Sequence, residues 1–205
     1  MDRGGEDRFA RLLAQSSVVK IRSALESHRP VAAEETDVRR AAVALIFRLG
    51  NDGGIELLFI KRAEYPADPW SGQMAFPGGR EEVGDASLAE TAIRETREET
   101  AIDLAHDGLM IGTLDDLRPF TVRLPAIVVR PYVWLLDRND PLTLSEEVAL
   151  ALWYPFASLA RTESWHEETV VARGVQINAR VFRHEENVIW GMTERILTQL
   201  VSLLD

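Results

Sequence analysis

Between Met74 and Thr100 the chain reads MAFPGGREEVGDASLAETAIRETREET. Near its end, Arg94-Glu95-Thr96-Arg97-Glu98-Glu99 places three carboxylates within five positions. The pattern predicts a helix from Leu88 to Thr100, with Ser87 and Glu90 in capping-box spacing. At about 100° per residue, Glu95, Glu98 and Glu99 share one helical face. Ala89, Ile93, Thr96 and Thr100 form a separate stripe, expected to face the core. One reading of the acids is a solvated face with an Arg94–Glu98 pair one turn apart. Magnitude weighs against it. Carboxylates roughly 6 Å apart repel by about 3 kcal/mol at an effective dielectric near 20, and by roughly 1 in water. A divalent cation turns that repulsion into attraction, and hard oxygen donors suit Mg2+ or Mn2+.

The residues before the helix add to this. Phe76-Pro77-Gly78-Gly79 joins a rigid residue to two permissive ones. Glycines here let the backbone approach an anion or offer a carbonyl to a metal.

The remainder of the chain frames a mixed fold. AAVALIFRLG and IELLFIKRA are β-prone runs on either side of Asn51-Asp52-Gly53-Gly54, a hairpin signal. Further strands are expected at Leu109–Leu114, Ala126–Leu136, Val148–Trp153 and Val175–Phe182, with a closing amphipathic helix at Met192–Leu204. Strands and helices do not alternate strictly, so the expected fold is α/β of the α+β type: a mixed sheet between helices. Residues 1–35 read as a helical extension, with Ser17 as a cap, packing on the domain or on the partner of a homodimer. Residues 36–205 read as the domain proper.

Composition narrows the partners. A formal net charge of −10 argues against nucleic acid or an anionic membrane. It also means that an anionic substrate needs a bound cation. The absence of cysteine excludes a disulfide framework or a thiol nucleophile. The charged opening MDRGGEDRFARLL has no apolar signal core, so the expectation is a cytoplasmic protein.

The segment from Gly79 resembles the Nudix box, Gly-x5-Glu-x7-Arg-Glu-U-x-Glu-Glu-x-Gly-U, with U apolar. Gly79, Arg94, Glu95, Glu98, Glu99 and Ile102 match. Asp85 stands at the early Glu, followed by one extra residue; Thr96 replaces an apolar residue and Ala101 the late Gly. LLFIKRAE, SGQMAFPGG, EEVALALWYPFASL and VIWGMTERIL extend the resemblance to the branch that includes coenzyme A diphosphatases.

The resemblance implies metal-dependent hydrolysis of a diphosphate in a small-molecule nucleoside diphosphate derivative, such as coenzyme A or a dinucleotide. It implies Glu95, Glu98 and Glu99 as metal ligands, with the Gly79 carbonyl. Arg94 orients a glutamate, or forms an ordinary helix ion pair. The base that activates water is Glu98 first, then Glu147 or Glu146. Arg62, with the Gly78-Gly79 backbone, is the candidate phosphate contact; Arg80 and Arg123 are weaker ones. Trp70 is read as a stacking group or as local packing. His28, His106, His166 and His184 show no ligand spacing and read as surface residues. A non-catalytic nucleotide-binding regulator is the alternative function.

Overall fold

The hairpin expected around Asn51-Asp52-Gly53-Gly54 is present in the computed structural model of the chain, which describes residues 9–35, 37–65, 70–119, 126–138, 140–172 and 174–204. β1 (Arg39–Leu49) and β2 (Ile55–Arg62) pair antiparallel through Phe47↔Leu57 and Leu49↔Ile55. Gly53 takes φ +83°, and Asp52 accepts from the Gly54 N–H at 2.9 Å, as turn aspartates do.

β1 is the spine of a mixed sheet. β3 (Met74–Ala75) pairs antiparallel with the end of β2. β4 (Gly78–Arg80) runs antiparallel to the start of β1, with Val43 opposite Gly78. β5 (Gly108–Thr113) pairs antiparallel with β6 (Ile127–Leu136), and β6 lies parallel to β1 from Arg39↔Ile127 to Phe47↔Leu135. β7 (Val148–Pro155) completes the sheet beside β2.

Side chains alternate between two cores, following the two-residue period of a strand. Leu45, Phe47, Leu57 and Phe59 enter one; Ala42, Ala44, Ile46 and Leu58 enter the other. α1 (Ala10–Leu13) and α2 (Ser16–Ser27) join the first core through Leu12, Val18, Ile21 and Leu25. α3 (Leu88–Thr100) and α4 (Leu104–Asp107) join the second through Leu88, Ala92 and Leu104. α5 (Phe156–Leu159) and α6 (Gly191–Ser202) return to the first, where Ile196, Leu197 and Leu200 are buried. Each such large side chain contributes roughly 1.5–3 kcal/mol on burial. The sheet thus lies between helices, as expected.

Several expectations change. α2 starts at Ser16 with Gln15 at its N-cap, so Ser17 is not the cap. β8 (Trp165–Ala172), β9 (Val175–His184) and β10 (Asn187–Ile189) form a second, three-stranded sheet of which only part of β9 was expected. The buried arc of α3 runs through Leu88, Thr91, Ala92, Thr96, Glu99 and Thr100, while Ala89 and Ile93 are half-buried. The helix packs on β4 as well as β1, which turns Glu99 inward.

The N-terminal segment packs on its own domain. A Cβ added at Gly112 would meet the Leu25 Cβ at 2.8 Å, so α2 lies close on β5. His28 Nε2 is 2.9 Å from Asp115 Oδ1, which places this histidine off the free surface. Val31 and Ala33 donate N–H bonds to Asp115 and Asp116 at 2.8 Å. No described helix is long and apolar enough to cross a membrane.

Candidate active site

β4 brings two residues without side chains against α3. A Cβ on Gly79 would stand 2.4 Å from the Glu95 carboxyl carbon. One on Gly78, at φ +145°, would stand 2.2 Å from the Ala42 carbonyl oxygen. Only glycine allows this approach. Through it the carboxylates of α3 reach past β4, and the Gly78 N–H donates to Glu99 Oε2 at 2.8 Å.

The ends of α3 fix its register. Ser87 Oγ accepts from the Glu90 N–H at 3.3 Å. At the other end Ala101 adopts the left-handed φ of +60°, where the Nudix pattern has Gly.

The three acids of one face occupy three environments. The side chains of Glu99, Glu95 and Glu98 are 4%, 16% and 56% exposed. Burial pushes the Glu99 carboxyl up to about 8; the Gly78 N–H and Arg62 oppose the rise, and Glu95 and Glu147 add to it. Burial also raises Glu95, against the pull of Arg94.

Arg94 organises this face. Its Nε and Nη2 donate to Asp85 Oδ1 and Oδ2, each at 3.0 Å, and Nη2 also donates to the Arg80 carbonyl at 2.9 Å. Nη1 reaches Glu95 Oε1 at 3.0 Å and Glu98 Oε2 at 3.1 Å. Asp85 accepts in addition from the Thr91 hydroxyl at 2.8 Å and the Glu82 N–H at 3.0 Å. The Arg94 bonds, more than the rest, hold the Asp85 carboxyl well below the usual carboxylate range, although burial opposes them. Asp85 thus performs an anchoring role despite its shorter side chain.

Across β4 lies a cavity of about 500 Å³. Glu95, Glu99, Glu147, Gly78, Gly79, Arg62 and Arg80 are among the residues that line it. Arg62, at the end of β2, has Nη1 4.0 Å from Glu99 Oε1. The Ala63 N–H donates to the Glu147 carbonyl at 2.8 Å and the Arg62 N–H to the Gln73 carbonyl at 3.0 Å, which ties the flanking loops to the strand end. Glu98 and Glu146 are exposed and do not line the cavity. Arg123 falls outside the described residues. Tyr65 and Trp70 line the cavity, as do Val43, Met74, Ile127, Val129, Met192 and Ile196. No local signal in the sequence marks these residues as the lining of a site.

The donor set fits a hard divalent cation: the carboxylates of Glu95 and Glu99 beside the Gly79 backbone, with Glu98 on the same helical face and an inward carboxyl whose ionisation burial disfavours. In the arrangement described, no three of the described acidic and histidine side chains converge as a ready-made cation cluster. Arg94 instead spans Glu95 and Glu98.

Comparison with known proteins shows the family and the fold. The NUDIX domain family matches residues 38–173. An uncharacterized Nudix hydrolase, NudL, of Salmonella newport is 34% identical over 175 residues, covering 84% of this chain and 86% of that one. An uncharacterized protein of Schizosaccharomyces pombe is 39% identical over 112 residues, 52% of this chain; the chain matches about a third, 34%, of that relative's length. In fold, the crystal structure of a MutT/nudix family protein from Enterococcus faecalis covers 97% of this chain and 73% of its own, with a TM-score of 0.52 at 14% identity.

Proposed function

Because the chain belongs to the NUDIX domain family, we propose that it is a metal-dependent pyrophosphohydrolase that splits the diphosphate of a nucleoside diphosphate derivative, coenzyme A or a related dinucleotide. One observation carries the reading: Glu95 against Gly79 and Glu99 bonded to Gly78 open, beside Glu147, onto the cavity that Arg62 also lines.

Glu95, Glu98, Glu99 and the Gly79 carbonyl would hold Mg2+ or Mn2+. The ion supplies neutralisation of phosphoryl charge and a lowered pKa for water. A chain of net charge −10 needs that neutralisation to admit a diphosphate. Arg62 holds phosphoryl oxygens beside the Gly78-Gly79 backbone, whose lack of side chains leaves room for the anion, and Arg94 keeps the glutamates in position through charge-assisted bonds. Of the three candidate bases, Glu147 lines the cavity and Glu98 and Glu146 do not, which favours Glu147. In the reaction a water oxygen bonds to one phosphorus and the anhydride P–O bond breaks. The displaced phosphate leaves as a second monophosphate, and the water proton passes to the base.

The test is product release from coenzyme A, ADP-ribose and NADH with and without added Mg2+ or Mn2+. Turnover that depends on the added ion is the expected result. Tight nucleotide binding with no turnover of any diphosphate would instead identify a regulatory binding module.

A further inference from the structure

β7 is an edge strand without the usual guards. It pairs with β2 along its length, from Glu56↔Pro155 to Arg62↔Val148, and from Ala149 to Tyr154 no described backbone group pairs on its other side. Such an edge offers a row of N–H and C=O groups to another strand. The other edges are protected. β5 is interrupted by a register shift between Met110 and Gly112, and α2 lies close upon it, where a Cβ at Gly112 would meet Leu25. β8 carries His166, Glu167 and Glu168. β3 and β10 hold two and three residues. β7 has eight residues, and from Val148 to Ala160 the chain bears no charged side chain. Ala149 is exposed and Leu150 to Trp153 are half-buried, so apolar side chains of both faces reach solvent along this edge.

We propose that β7 pairs antiparallel with β7 of a second copy of this chain, about a two-fold axis at Ala151. The strand complements itself in that register. Ala149 faces the partner's Trp153, so small meets large, and Leu150 faces the partner's Leu152. Two Ala151 side chains meet at the axis itself. Glu147 falls opposite the partner's Pro155, so no like charges oppose each other. Trp153 is already held from one side: the Arg48 guanidinium lies 4.0 Å from its ring centroid and is itself paired with Glu56 at 2.8 Å. An aromatic fixed in this way loses little freedom on docking. Each copy gives the other the same strand, which closes the contact as a pair. A contact built on one strand from each copy is smaller than a standard interface, so the dimer is expected to exchange with monomer. This pairing is independent of the diphosphatase reading.

The chain has no cysteine, so a single introduced thiol reports a single contact. Antiparallel partners hold their Cα atoms about 4.5–5.5 Å apart, within the reach of a disulfide. Ala151→Cys, mildly oxidised, is expected to give a covalent dimer; Met110→Cys on β5 and Thr169→Cys on β8, both at exposed positions, are not. Sedimentation velocity of the parent across a concentration series is expected to show a reversible dimer. Ala149→Lys, also at an exposed position, should raise the dissociation constant by about tenfold or more while circular dichroism shows the same fold. Ala151→Cys keeps the question decidable where Ala149→Lys fails to fold. A folded parent that stays monomeric, with no disulfide through Ala151→Cys, overturns the proposal and leaves the edge to a strand of another protein. A dimer that Ala149→Lys does not weaken, or one that crosslinks at β5 or β8 and not through Ala151→Cys, overturns it too and moves the interface to another edge.

Discussion

Asp85 receives both prongs of the Arg94 guanidinium, Oδ1 from Nε and Oδ2 from Nη2, each at 3.0 Å. The remaining nitrogen, Nη1, is thereby aimed at Glu95 and Glu98. Asp85→Ala leaves the partly buried Arg94 without its main partner and frees the Thr91 hydroxyl. The expected cost is about 2–4 kcal/mol in stability. Turnover should fall by about tenfold or more, because Glu95 and Glu98 lose the group that orients them. Urea denaturation read beside kcat checks both. A variant as stable and as active as the parent would remove the anchoring role from Asp85.

The adjacent glycines should fail in different ways. A methyl at Gly79 meets the end of the flexible Glu95 side chain, which can swing aside at little cost to the fold. Gly79→Ala should therefore keep its secondary structure and lose activity by about 100-fold or more, since the displaced group is a proposed metal ligand. A methyl at Gly78 meets the backbone of Ala42 and Val43 at a φ of +145°. Gly78→Ala should lose about 3 kcal/mol or more of stability, as strained and overpacked backbone does. Circular dichroism melts with activity assays on both variants distinguish the two. Equal losses of stability would mean that the gap at Gly79 serves the fold alone.

Glu98 and Glu147 are both exposed but separate by their place relative to the cavity: Glu147 lines it, and Glu98, one turn beyond Arg94, does not. Glu147→Gln should lower kcat by about 100-fold or more with little change in the Mg2+ concentration needed for half-activity. Glu98→Gln should also lower turnover by orders of magnitude, but with a raised Mg2+ requirement. Metal titrations of kcat for the two variants decide this. Reversed behaviour would return the role of base to Glu98.

Ala101 closes α3 in a conformation that costs a residue with a Cβ about 1–2 kcal/mol. Ala101→Gly relieves that strain and adds some chain entropy to the unfolded state, for an expected net gain of about 0.5–1 kcal/mol. A thermal melt that is unchanged or lower would show that the surroundings already offset the strain.

What the sequence disclosed follows from the range of the signals. Ser87 and the spacing up to Thr100 bound α3 locally, and the observed helix has the expected limits. Asn51 to Gly54 marked the hairpin for the same reason. β3 and β4 hold two and three residues, too few to show a period. β8 reads WHEETVVA, with Glu167 and Thr169 exposed and Glu168 paired to Arg183, so it lacks a clean apolar alternation. The shared face of Glu95, Glu98 and Glu99 was legible from helical spacing. Their unequal burial was not, because it depends on β4 passing beside one edge of α3. The cavity lining draws on β1, β6 and α6 together, and no window of sequence contains all three.

Asp116 offers a test of how the N-terminal segment is held. Its side chain is only 1% exposed. It accepts from Arg130 Nε at 2.7 Å and Nη2 at 2.8 Å, and from the Ala33 N–H at 2.8 Å. Burial alone would raise this carboxyl, but the Arg130 and Ala33 bonds outweigh it, so the folded value lies below the ordinary 3.8. The unfolded chain then binds the proton first as pH falls. The stabilisation is complete well above 3.8 and drains away as pH drops toward the folded value. Asp116→Asn should cost about 1–3 kcal/mol at pH 7, where the charged acceptor matters most. The gap between parent and variant should narrow as the pH is lowered from about 5 to about 3. Urea midpoints across that range measure it, and hydrogen exchange at the Ala33 amide reports whether the segment loosens in step. A gap that stays constant to the acid end would mean that Asp116 holds Ala33 and Arg130 by packing and not by charge.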